Sequence, residues 1–109
     1  MENESELRKK ELERKLDVIR DTIQKAFPDS EIVYREKSFS LYKFQVNRKG
    51  LPPCCLVFTW ECLLQTEDKI IEMLRREKVF ERLSNTSSQM NILITDTDVR
   101  EVNEIMCDE

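Results

Sequence analysis

The sequence predicts an α+β domain in the order α-β-β-β-α-β-(α), with an antiparallel three-stranded meander and a fourth strand packed against two main helices. Three observations carry this expectation. Apolar residues recur at helical spacing over residues 4–26, change to strand-like alternation and short apolar runs over residues 31–60, and return to helical spacing after Thr66.

Residues 4–26 read as one long helix, because Leu12, Leu16, Ile19, Ile23 and Phe27 fall on a single stripe. Asn3 suits the N-cap with Glu6 three residues on, close to a capping box. Glu6 with Lys10 and Glu11 with Lys15 add pairs in the favourable order, each worth about 0.3 kcal/mol. Pro28-Asp29-Ser30 ends the helix, since proline cannot continue it and Asp and Ser favour turns. Only Leu7 and Leu12 anchor its first turns, so residues 1–10 are expected to form a projecting or frayed start.

A first strand begins at Ile32-Val33-Tyr34 and turns at Glu36-Lys37-Ser38. The second runs from Phe39 to Val46, with Tyr42, Phe44 and Val46 alternating with Lys43 and Gln45. The single glycine, Gly50, suits the left-handed position of the following hairpin turn, Asn47-Arg48-Lys49-Gly50. Pro52-Pro53 precedes a third strand, Cys54 to Trp60, whose nearly unbroken apolar character predicts a central strand covered on both faces.

Thr66 caps a second helix with Glu67 and Asp68 in its first turn and Ile70, Ile71, Leu74, Phe80 and Leu83 on its apolar side. Ser84 to Gln89 reads as a loop and Asn91 to Thr95 as a fourth strand. Val99, Val102 and Ile105 suggest a short last helix, and residues 107–109 a disordered tail. A chain of 109 residues makes one domain, 1–109.

Composition bounds the function. The chain starts Glu2-Asn3-Glu4-Ser5-Glu6, without the basic and apolar regions of a secretory signal, and no apolar stretch approaches the ~20 residues of a membrane span. A soluble, cytoplasmic protein with four free thiols is the expectation. The net charge of −4 is unevenly spread: residues 27–60 carry three acids and five bases, residues 84–109 six acids and one base. A polyanion-binding domain usually has the opposite balance.

Histidine is absent, which removes the commonest general base and zinc ligand together. Cys54, Cys55, Cys62 and Cys107 lack the paired spacing of a zinc knuckle and read as small apolar residues. Asp96-Thr97-Asp98 after an apolar strand resembles the first motif of the haloacid-dehalogenase phosphotransferases, which implies a magnesium-dependent hydrolase. The same residues are also good helix-start residues. The element order resembles the restriction-endonuclease-like core, yet Pro28-Asp29 precedes the first strand and Thr59-Trp60-Glu61-Cys62 carries no lysine. It also resembles the double-stranded-RNA-binding domain, yet Glu67-Asp68-Lys69 stands where that family places lysines.

The expected function is therefore a small non-catalytic protein-binding or adaptor domain, without cofactor or metal. The candidate interaction surface is Lys43, Arg48 and Lys49 on the second hairpin, continued by Arg75 and Arg76. The alternative is a nucleic-acid-associated module using that basic hairpin. The expected assembly is a monomer, or a weak homodimer through the N-terminal helix, with no membrane partner.

Overall fold

In the computed structural model, which describes residues 4–37 and 41–102 and side chains over 8–35 and 41–102, the helical stripe becomes α1 (Glu4–Ala26). Ile19 and Ile23 are buried, with Leu12 and Leu16 packed against the same cluster. The side chain of Gln24 closes the turn after it, donating to the Phe27 and Ser30 carbonyls, both at 3.0 Å. Those oxygens belong to the helix end and turn, where intrahelical partners run out. Asn3 and residues 107–109 lie outside the described residues.

Next come β1 (Glu31–Lys37), β2 (Leu41–Asn47) and β3 (Cys54–Thr59), joined antiparallel, with Tyr34 opposite Phe44 and Phe44 opposite Leu56. Gly50 has φ +75°, the left-handed conformation expected of the turn between β2 and β3. Three helices then follow: α2 (Trp60–Leu63), α3 (Glu67–Arg76) and α4 (Val79–Asn85). Thr59 and Thr66 cap α2 and α3, each hydroxyl accepting a backbone N–H at 3.3 Å. The chain returns as β4 (Asn91–Ile94), parallel to β3, and ends its described course in β5 (Val99–Val102), antiparallel to β4.

The sheet is therefore five-stranded and mixed, in the order β1-β2-β3-β4-β5. Four expectations are corrected. Glu36 and Lys37 belong to β1 instead of the turn after it, and Trp60 opens the short helix α2 instead of closing the third strand. The helix from Thr66 to Leu83 is broken at Lys78, which adopts φ 55°, ψ 42° and separates α3 from α4. Residues 99–102 form an edge strand where a short helix was expected, because their apolar ends, Val99 and Val102, fit the last ladder as readily as a helical turn.

One face of the sheet carries the core. Ile32, Phe44, Val46, Leu56, Phe58, Ile92 and Ile94 meet buried side chains from all four helices, including Ile23, Leu63, Leu74 and Leu83. Burying one such side chain fully is worth about 2 kcal/mol. Phe44 and Phe58 meet edge to face at 5.8 Å. The opposite face is also closed at its centre: Cys55, Val57 and Lys43 are buried, so β3 is covered on both sides as its composition predicted. Among the described residues no helix is long and apolar enough to cross a membrane.

Candidate functional site

The hairpin bases do not form a surface patch. Lys43 lies on β2 between Arg35 and Val57 in the cross-strand ladder and is 0% exposed. Arg48 is 9% exposed, and its guanidinium is consumed by the fold. Nη1 donates to the Leu83 and Thr86 carbonyls at 2.9 and 2.7 Å, and Nη2 to the Pro52 and Ser88 carbonyls at 2.8 and 3.2 Å. A planar fork with several fixed donors suits such a cage of backbone acceptors, which a lysine could not fill equally. Its Nε is the one buried side-chain polar atom without a hydrogen-bond partner among the described residues. Lys49, Arg75 and Arg76 remain exposed.

The structure instead assembles a different set of cations. Where α1 ends, α3 ends and α4 begins, a groove of about 490 Å³ opens. Ala26, Ile71, Leu74 and Phe80 give it an apolar floor, and Lys25, Arg75 and Lys78 stand around it with one carboxylate, Glu81. Of the sequence candidates, Arg75 lines this groove; Lys49 and Arg76 do not.

The break at Lys78 builds the groove. A residue with a Cβ in the left-handed region costs about 1 kcal/mol, and this one redirects the chain so that α4 leaves α3 at once. Phe80 is thereby carried back to the end of α1, where it meets Phe27 edge to face at 6.1 Å. Lys25 and Arg75 have a local reason to be here, since they stand in the last turns of α1 and α3, where the helix dipole favours positive charge. Among the described residues no carboxylate lies within ion-pair distance of Lys25, Arg75 or Lys78. Three cations against one acid over an apolar floor make a surface for an acidic, amphipathic segment.

A second groove, of about 420 Å³, lies at the other end of α1, where Leu12, Trp60 and Leu63 adjoin Leu64, which is 61% exposed. Its cations are engaged: Lys15 Nζ donates to the Leu63 carbonyl at 2.9 Å, and Arg14, at the adjoining surface, pairs with Glu67 at 3.1 Å.

Asp96-Thr97-Asp98 forms the turn between β4 and β5 rather than a helix start. Thr95 Oγ1 accepts from the Thr97 and Asp98 amides at 3.2 and 3.0 Å and donates to Asp98 Oδ1 at 2.8 Å. That bond, then the Arg100 bond at 3.1 Å, holds the Asp98 carboxyl below its usual range. Cys62 is pushed up to about 12, first by burial and then by the Asp96 charge, so it stays a neutral thiol. Cys54 and Cys62 are free, whereas Cys55 is disulfide-bonded, which corrects the expectation of four free thiols. Among the described residues no three His, Cys, Asp or Glu side chains cluster as a metal site.

The groove could not be found from spacing alone, because Lys25 is brought beside Arg75 and Lys78 only by the packing of α1 on α3. Comparison of the chain with protein-family models, curated proteins and solved structures finds no match.

Proposed function

We propose that this chain is a small non-catalytic protein-binding domain, and that the groove between α1, α3 and α4 receives an acidic, amphipathic segment of its partner. The observation that carries the reading is the rim of Lys25, Arg75 and Lys78, three cations with no ion pair among the described residues, standing over Ile71, Leu74 and Phe80. Apolar side chains of the segment would cover the floor, and its carboxylates would meet the rim with charge-assisted hydrogen bonds. With Lys43 and Arg48 inside, the hairpin retains Lys49 as its exposed base, which favours the groove over the hairpin as the binding surface. The disulfide at Cys55 removes the thiol argument for a cytoplasmic setting, and the binding mode is independent of compartment.

Selection from a random peptide library tests this. Enriched sequences should combine Asp or Glu with two or three apolar positions at helical or strand spacing. Binding should be lost in a K25E/R75E/K78E variant. Enrichment of basic or charge-free peptides, or binding indifferent to the triple reversal, would contradict the proposal.

A further inference from the structure

A second surface is self-complementary. Among the described residues β1 is the outermost strand on its side of the sheet and β2 is its neighbour there. Seven residues of β1 thus present one ladder edge outward, a template for another strand. Above it, Leu16, Tyr34 and Phe44 adjoin an open groove of about 140 Å³ rimmed by Glu13, Asp17 and Arg20, so α1 does not seal this edge.

The order of residues along the edge is Glu31-Ile32-Val33-Tyr34-Arg35. Its pattern, acid, three apolar or aromatic residues, base, complements itself when a second copy runs antiparallel with Val33 opposite Val33. Glu31 of each copy then faces Arg35 of the other, and Ile32 faces Tyr34. Opposite residues in such a pair share a face of the sheet, so the helix-covered faces of both copies stay on one side. Glu31 and Arg35 are exposed. Arg35 has buried Lys43, a like charge, as its cross-strand neighbour, and among the described residues no carboxylate pairs with it. Glu31 accepts a 3.4 Å bond from Asn47 and has no cation at ion-pair distance among the described residues. Each copy thus offers the charge the other lacks.

We propose that two copies of this chain associate edge to edge through β1, about a two-fold axis at Val33, joining their sheets into one. This surface is separate from the α1–α3–α4 groove and does not rest on its function.

Sedimentation velocity from about 5 µM to about 1 mM tests it with paired charge reversals. The unmodified chain should show a monomer–dimer equilibrium. Glu31→Arg sets two positive side chains against each other at both ends of the joined strands, and Arg35→Glu sets two negative ones there. Each reversal should weaken the dimer about tenfold, because an isologous interface counts every change twice. The double variant E31R/R35E restores both pairs and should regain the dimer, as should an equimolar mixture of the single variants. A chain monomeric at every concentration would overturn the proposal. A dimer unmoved by the reversals would also overturn it and place association on another surface. Amide exchange in the unmodified chain gives a check without substitution: residues 31–35 should exchange more slowly as concentration rises, and concentration-independent exchange overturns the proposal equally.

Discussion

Arg48 Nη1 donates to the carbonyl of Leu83 at 2.9 Å, fastening the turn after β2 to the last turn of α4. Together with its bonds to Thr86, Pro52 and Ser88, this makes a single buried side chain the clasp between the antiparallel hairpin and the segment that leads into β4. Hydrogen bonds from a charged group are among the stronger ones, and the carbonyls it leaves would be stranded beneath the surface. Arg48→Ala should therefore destabilise the fold by about 3 kcal/mol in urea unfolding. Arg48→Lys should recover only part of the loss, since an ammonium cannot span the same acceptors. A loss under about 1 kcal/mol for the alanine variant would show that the clasp is dispensable.

Lys78 holds a left-handed conformation that glycine adopts without steric cost. Lys78→Gly should stabilise the chain by about 0.5–1 kcal/mol, the relief of strain exceeding the greater freedom of glycine in the unfolded chain. The same change removes a rim cation, so affinity for an acidic peptide should fall while thermal stability rises. Opposite movements of the two quantities separate the role of Lys78 in the backbone from its role in the groove.

The Asp98 carboxyl is held below its usual range by Thr95, then by Arg100. A depressed acid contributes stability that is present above its unfolded pKa, near 3.9, and lost as pH falls through the folded value. The stability difference between the unmodified chain and Asp98→Asn should therefore be constant near neutrality and shrink as pH falls below about 4. A difference unchanged down to pH 2 would contradict the assigned bonds.

Cys62 has the opposite sign. Its folded pKa of about 12 keeps the thiol neutral, so the stability linked to it is intact below the unfolded thiol value near 9 and lost progressively as pH rises from there through about 12. With Cys54 buried as well, neither thiol should alkylate in the native protein at pH 8, and both should alkylate once urea unfolds it. Rapid native labelling of Cys62, read by peptide mass spectrometry, would contradict its burial.

Elements whose signals are local were legible in the sequence. The stripe Leu12, Leu16, Ile19, Ile23 located α1, Thr66 marked the start of α3, and Gly50 took its left-handed turn. The break at Lys78 was not read because lysine carries no signature of the left-handed region. The one local hint is that the apolar spacing skips from Leu74 to Val79 and Phe80, with charged Glu77 and Lys78 where a continuous stripe would place an apolar residue. The last strand was missed because Asp96, Thr97 and Asp98 suit a helix start, whereas the Thr95 hydroxyl accepts the Thr97 and Asp98 amides and closes a hairpin turn instead. Alternation along β2 put Lys43 on the outer face, which is solvent only where a strand's second face is open, and here the sheet centre is closed. Arg48 was unreadable for another reason: three of its four carbonyl partners lie 35, 38 and 40 residues away along the chain. The groove shares that limit, since its floor and rim are drawn from α1, α3 and α4.

The most direct test of the binding role is a heteronuclear NMR titration with an acidic, amphipathic peptide from the library selection. The amide shifts should concentrate at Thr22, Ala26, Ile71 and Phe80, weaken as salt rises, and vanish in K25E/R75E/K78E. Shifts centred instead on Leu12, Trp60 and Leu64, or retained after the triple charge reversal, would contradict that role.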